Sequence, residues 1–461
     1  MLRLERPLLT LACAVALAVA GAQTHGQARL APDSVPAGHD RSIDGADRTP
    51  ADAGATERPR LPTTDAAATK PPLAVYILAG QSNMQGHAKI ATFDYLADDP
   101  ATAPLLAQMR GADGKPRVCE HVWISDLTHA ANGAGSGEGH GRLTAGFGAR
   151  KDPAVPGDKI GPEFTFGLTI AKAHPGPVLL IKTSWGGKSL HTDFRSPSAG
   201  PFVFDPAQIE NLRKQGKDVD AIRSDKTAAT GHYYREMIAH VRRVLADPAR
   251  VCPEYDPDAG CELAGFVWFQ GWNDMVDRGV YPKRDEPGGY AAYSECLAHF
   301  IRDVRKDLET PDLPFVIGVM GVGGPVAADD RTRAVHRNFQ AAMAAPADLP
   351  EFRGNVVAVP TAPYWASELA AIVDKVEKVR QFERSLRAPR RDGTGAGETE
   401  APSAEELRQR VATFRAQTIT PEEEAALARG VSNGGYHYLG CAKTMARIGV
   451  AFAEASLQLR K

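Results

Sequence analysis

Four short blocks carry side chains able to do covalent chemistry. The first, Gly80-Gln81-Ser82-Asn83-Met84, follows the apolar run Val75–Ala79, so its serine falls where a strand turns into a helix. A serine hydroxyl becomes nucleophilic only at an exposed turn beside a base, and the first amides of a helix are unpaired donors suited to a developing oxyanion. The second block, Ser184-Trp185-Gly186-Gly187-Lys188, closes the run Val178–Thr183; its glycines allow a backbone N–H to approach a substrate oxygen. The third, Gln270-Gly271-Trp272-Asn273-Asp274, closes Gly265–Gln270 and offers two carboxamides and a carboxylate. The fourth, Asn433-Gly434-Gly435-Tyr436-His437, precedes the last helical pattern and supplies an imidazole able to act as general base.

Each block alone has a plain structural explanation: a serine caps a helix, paired glycines turn a chain, Asn-Asp after glycine is a common turn, and a lone histidine is usually solvated. Their order is the stronger signal. Nucleophile, glycine donor, carboxamide and histidine, read from one end of a domain to the other, suit acyl transfer from an ester. That chemistry calls for no metal or organic cofactor, and no CxxC or clustered Cys/His spacing suggests zinc. Gln81 and Asn83 beside the serine, and His191 and Arg195 beyond the second block, are candidate substrate contacts. Trp185, Trp272 and Trp365 are each open to two roles, packing or stacking on a sugar, with packing favoured for Trp365.

These blocks must be held by elements of a recognisable kind. Five apolar runs, Val75–Ala79, Val178–Thr183, Gly265–Gln270, Phe315–Met320 and Val356–Val359, read as strands buried on both faces. Helical patterns alternate with them: Ile238, Val241 and Leu245 share a face, as do Met445, Ile448 and Phe452. The expectation is a three-layer α/β/α sandwich on a mainly parallel five-stranded sheet, with ligands at the carboxyl ends of the strands. Gly133–Gly161 reads as a loop beside the site, and 368–429 as a charged, solvated helical insertion interrupted by breakers at Pro389–Pro402.

The remaining chain concerns delivery. Arg3 and Arg6 ahead of the apolar stretch Leu8–Ala20, then Ala20-Gly21-Ala22, have the layout of a secretory signal peptide over residues 1–22. Residues 23–72, poor in aromatics and rich in Ala, Asp, Thr and Pro, read as a disordered linker to a domain spanning 73–461. Export to the periplasm or the medium is expected, without stable membrane insertion once the signal is cleaved. Beyond Cys13 the cysteines are Cys119, Cys252, Cys261, Cys296 and Cys441, and a disulfide between Cys252 and Cys261 would close the loop CPEYDPDAGC. With 54 basic and 56 acidic residues and a net charge of −2, no domain-wide basic field marks a nucleic-acid partner.

From Leu73 to Gln458 the chain resembles the carbohydrate-esterase branch of the SGNH (GDSL-like) hydrolases, the sialate O-acetylesterase and acetylxylan esterase group, on its Gly-Gln-Ser-Asn-Met, Ser-Trp-Gly-Gly and Trp-x-Gln-Gly blocks. The resemblance implies a serine esterase that deacetylates a carbohydrate, with Ser82 as nucleophile and His437 as base. The oxyanion would be held by the Ser82 and Gly187 N–H groups and a side-chain amide, Gln270 in preference to Asn273. Two positions depart from the branch. Trp272 stands where Gln-Gly-Glu is usual, and Gly434 stands where an Asp often lies three residues before the histidine. Asp274 is the first candidate to orient His437, with a backbone carbonyl as the alternative. A silent carbohydrate-binding protein on the same fold and an O-acetyltransferase are the rival readings.

Overall fold

Seven strands make the main sheet: β1 (Leu73–Gly80), β2 (Val122–His129), β3 (Ser136–Arg142), β4 (Val178–Ser184), β5 (Cys261–Phe269), β6 (Phe315–Val319) and β7 (Val356–Pro360). They lie in the order β3-β2-β4-β1-β5-β6-β7, and only β2–β3 is antiparallel. The computed structural model describes residues 70–387 and 403–461. The expected signal peptide, nearly all of the linker and the breaker segment Pro389–Pro402 lie outside the described residues. Among the described residues no helix is long and apolar enough to cross a membrane.

Every residue of β1 and β4 is buried, which requires cover on both faces. Side-chain alternation along β5 shows what supplies it. Phe266 and Trp268 meet Phe300 of helix α7 (Ala291–Asp307), whereas Phe269 meets Phe452 of helix α12 (Ala442–Gln458). These helices therefore flank opposite faces, and the architecture is the expected α/β/α sandwich.

The strand count corrects the sequence expectation of five. The five apolar runs are five of the six strands of the parallel ladder. The other two strands lack an apolar run: β2 buries Ser125, Asp126 and Thr128, and β3 reads Ser-Gly-Glu-Gly-His-Gly-Arg. Ser125 Oγ donates to Glu138 on β3, and Arg150 pairs with the buried Asp126. The Gly133–Gly161 segment is thus partly sheet, because charge pairing replaces the apolar patterning that marks the other strands.

The charged insertion is also more than a solvated excursion. Its helices α9 (Ser367–Arg387), α10 (Ala404–Thr418) and α11 (Pro421–Gly430) contribute to a second apolar cluster, in which Leu369, Ile372, Val379 and Ile419 enclose Leu439 and Cys441. Those last two residues follow His437, so the insertion braces the histidine segment.

Further helices are α1 (Ser82–Gln85), α2 (Glu163–Ala173), α3 (Pro206–Lys214), α4 (Val219–Ala229), α5 (His232–Ala246), α6 (Trp272–Val276) and α8 (Ala334–Ala344), with a short helix at Ala103–Met109 between α1 and α2. Helix α1 has four residues, too few to stand alone. Lys182 of β4 fixes its end, its fully buried ammonium donating to Gln85 O at 2.8 Å, Phe147 O at 2.7 Å and Glu163 Oε2 at 3.0 Å. Glu163→Gln removes the only counter-charge among the described residues and should cost about 3–5 kcal/mol of stability, as breaking a buried pair does. Urea unfolding measures it, and a loss below about 1 kcal/mol would show that the pair is not needed.

Candidate active site

Strand order reverses at β1, which lies between β4 and β5, and the carboxyl ends of these three strands enclose the site. Gly80 ends β1 against β5 so closely that a Cβ there would lie 2.2 Å from Phe269 O. Only glycine lets the chain turn at this point. Ser82 then opens α1, and a Cβ on Gly186 would stand 3.9 Å from that of Ser82, which sets the end of β4 beside it. Gly187 has φ +75° and open space around its α-carbon. Among the described residues neither the Ser82 nor the Gly187 N–H has an acceptor.

The polar side chains around this point divide into those already engaged and those left free. Gln81 is engaged: its Oε1 accepts from Gly271 N (3.0 Å), Gln270 Nε2 (3.2 Å) and Asn273 N (3.4 Å). Its Nε2 lies 3.3 Å from Asn273 Oδ1 and 3.5 Å from Ser82 Oγ. Gln81 therefore ties β1 to β5 rather than awaiting substrate. Gln270 is buried, and its NH₂ faces Gln81 Oε1, Lys188 O (3.0 Å) and Asp274 Oδ2 (2.6 Å), more acceptors than it has protons. Gln270, the expected oxyanion donor, thus has its NH₂ engaged, whereas the Asn273 NH₂ donates to no described residue while its Oδ1 is held by Gln81.

Asp274 is corrected more sharply. Its fully buried carboxylate accepts from Leu190 N (2.8 Å), His191 N (3.1 Å), Gln270 Nε2 and the Tyr281 hydroxyl (3.2 Å). No lone pair is directed at His437. Asp274 joins the loop after β4 to the end of β5. His437 is instead oriented by Asn433, whose Oδ1 lies 3.0 Å from His437 Nδ1 and also accepts the Gly434 N–H at 2.7 Å. An amide oxygen only accepts, so Nδ1 carries the proton and Nε2 is the basic nitrogen. The signal in the sequence was an Asn four residues before the histidine, beside the glycine that occupies the expected Asp position.

His437 lies flat on His87, with ring centroids 3.8 Å apart and planes 1° from parallel. Burial pushes the His437 pKa down to about 4, helped by the Lys159 charge. Burial and then His437 push His87 to about 3. Asn83 joins this segment to α1, its Nδ2 donating to Tyr436 O at 3.2 Å; like Gln81 it has a structural bond. Ser82 Oγ and His437 are not hydrogen-bonded to each other in this structure, the looseness common to apo sites.

Of the outer candidates, Arg195 is structural: its guanidinium donates to Gly200 O, Ala199 O, His191 O and Cys296 Sγ. His191 is buried between Thr192 Oγ1 (2.7 Å) and Asp277 (3.2 Å) and lines an open cavity of about 550 Å³ with Gly187, Lys226, Asn273 and Asp277. Trp185 is fully buried, its indole N–H bonded to Ser136. The expected Cys252–Cys261 disulfide is not formed; Cys252 is buried behind the turn from Pro248 while Cys261 is exposed at the start of β5, and both are free thiols.

Fold and site together define a doubly wound α/β sandwich with a hydrolase-type pocket at its switch point. The family model for carbohydrate esterases described as sialic acid-specific acetylesterase matches residues 72–349, well over half of the chain. The chain belongs to that family, in the carbohydrate-esterase branch of the SGNH hydrolases, and is a carbohydrate acetylesterase. The match includes Ser82, Gly187 and Asn273 but ends before Asn433 and His437. No curated protein matches the chain. Among solved structures, a protein from Arabidopsis thaliana is 16% identical with TM-score 0.33, covering 63% of this chain and 86% of its own. A carbohydrate acetylesterase from Xanthomonas citri is 16% identical with TM-score 0.29, covering 62% and 49%. NanS is 14% identical with TM-score 0.33, covering 63% and 78%.

The engaged state of Asp274 has a direct consequence. Asp274→Asn replaces one acceptor oxygen by a donor that faces other donors, and should lower stability by about 1–3 kcal/mol for each group orphaned. Denaturant melts of the two proteins check this. Wild-type stability in the variant would contradict the bonding described.

Proposed function

We propose that the protein removes O-acetyl groups from a carbohydrate through an acetyl-enzyme on Ser82. The observation that carries this reading is the set of donors left unpaired at the strand ends, the Ser82 and Gly187 N–H groups and the Asn273 carboxamide, beside an imidazole whose Nδ1 is held by Asn433. Ser82 Oγ attacks the ester carbonyl carbon as its proton passes to His437 Nε2. The three donors hold the resulting oxyanion. Collapse breaks the bond to the sugar oxygen, which takes the proton from Nε2. Water then attacks the acetyl-serine, gives a proton to Nε2, and acetate leaves as Oγ is reprotonated. Asn433 keeps the tautomer, the role of the third member of a triad. The basic, apolar and small-residue order of residues 1–22 supports export, so the acetylated glycan would be met outside the cytoplasm.

Ser82→Ala tests the nucleophile. It should lower acetate release from an acetylated glycan by roughly 10⁴-fold or more and abolish labelling by a fluorophosphonate. Undiminished release would refute the assignment.

The pH profile tests the base. His437 acts only when neutral, and its folded-state pKa is depressed to about 4, so kcat/KM should hold as pH falls and halve only near pH 4. Asn433→Asp places a carboxylate against Nδ1, favours the imidazolium, and should move that midpoint upward. A wild-type midpoint near the ordinary histidine value, unmoved by the substitution, would remove His437 from the mechanism.

A further inference from the structure

Tyr436 is a large aromatic side chain in an unusual place. It is 48% exposed although it adjoins the half-buried His437, its ring centroid 4.4 Å from the imidazole. Its hydroxyl bonds to no described residue, so nothing in the described structure satisfies that end of the ring. Trp272 faces it, with centroids 6.0 Å apart and planes inclined at 44°. Trp272 is half-buried with its inner side against the main core, and it is followed directly by Asn273, whose NH₂ donates to no described residue. The two rings thus adjoin the imidazole on one side and the Asn273 carboxamide on the other.

Gly434 leaves room for this pair: a Cβ there would lie 2.7 Å from Tyr436 Cε1 and 3.2 Å from Cδ1 and Cζ. Any side chain at 434 would displace the ring. Asn433, next to this glycine, supplies the contact to Nδ1, so the aromatic wall stands beside the imidazole.

We propose that Trp272 and Tyr436 form the subsite for the sugar ring that leaves in the first half-reaction, against which a pyranoside packs an unbroken C–H face. Aromatic faces carry partial negative charge and attract the weakly positive C–H bonds of such a ring, while the open Tyr436 hydroxyl can bond a sugar hydroxyl. The wall acts on the alcohol and not on the acetyl group, so its contribution belongs to sugar esters and not to esters of simple alcohols.

This inference rests on the esterase reading, and its test separates the two. Purified full-length protein is assayed on methyl β-xyloside acetate and on ethyl acetate. Tyr436→Ala and Trp272→Ala should each lower the ratio of kcat/KM for the xyloside over ethyl acetate by about tenfold, the effect of about 1.4 kcal/mol of lost stacking. Tyr436→Phe should keep most of the ratio. Independently of turnover, β-xylotriose titrated into the protein should change its tryptophan fluorescence, with affinity about tenfold weaker in Tyr436→Ala. An unchanged ratio with unchanged xylotriose affinity would overturn the subsite. A parallel fall on both esters would overturn it too, and reduce the pair to positioning residues for His437. Failure of the esterase reading shows elsewhere, as ethyl acetate hydrolysis that survives Ser82→Ala.

Discussion

The site depends first on the burial of one ammonium group. Lys182 lies inside the sheet layer, fully shielded from water, and is held there by Glu163 and two backbone carbonyls. Such a charge is costly to bury and tolerates no missing partner, so the three segments that supply its acceptors are fixed relative to β4. One of those acceptors is Gln85 O, at the carboxyl end of α1, where a helix favours positive charge. Gln85 Nε2 adds a bond to Thr128 on β2 at 2.8 Å. A helix of four residues cannot order itself, yet it carries Ser82, the proposed nucleophile. The buried pair supplies from one end what Gln81 and the Gly80–Phe269 approach supply from the other.

The same rule of satisfaction explains which polar groups are left for chemistry. Gln81, Gln270 and Asp274 all look catalytic by type and position, but each is saturated by contacts that join strand ends to loops. Burying them unpaired would cost about 1–3 kcal/mol apiece, and the network avoids this by consuming nearly every donor and acceptor. Among the described residues, the donors left unpaired at these strand ends include two backbone amides and the Asn273 NH₂, beside the unpaired Asn83 Oδ1, Thr183 Oγ1 and Ser184 Oγ. Preorganised donors of this kind stabilise charge because nothing has to be broken to recruit them. The remainder of the network, more than any single residue type, marks the reacting position.

This is also why the sequence disclosed the fold more fully than the site. Strands buried on both faces must be apolar throughout, and five of them were visible for that reason. β2 and β3 escaped because Asp126, Ser125 and Glu138 are buried with partners from elsewhere in the chain, and pairing over such separations leaves no local pattern. The turns at Ser82 and Gly187 were visible because turn chemistry is local. Which of Gln270 and Asn273 keeps a free NH₂, and that Asn433 and not Asp274 meets His437, depend on who bonds whom across about 80 to 190 positions or around a tight loop. Residue type alone ranks a carboxylate above an amide for orienting a histidine, and here that ranking misled. The cysteines failed similarly, since a short loop between Cys252 and Cys261 says nothing about one thiol facing the core and the other the solvent.

The histidine segment shows how an insertion that looked dispensable enters the chemistry. Tyr438 and Leu439 both have positive φ, +53° and +61°, a conformation that costs about 1–3 kcal/mol for a residue with a side chain. It persists because both side chains are locked. The Tyr438 hydroxyl meets Gly321 N at 2.8 Å and Thr361 Oγ1 at 2.6 Å under the ends of β6 and β7. Leu439 is enclosed by Leu369 and Ile372 of the charged insertion. The strained turn sets His437 against His87, with Asn433 at its Nδ1. An amide orients an imidazole without the charge that would stabilise its protonated form. This arrangement therefore keeps the base neutral at low pH but gives up the support a carboxylate lends to the imidazolium. In the proposed mechanism more of the barrier would then be lowered by the oxyanion donors, which fits a scaffold whose ion pair, amide network and insertion hold those donors and the imidazole still.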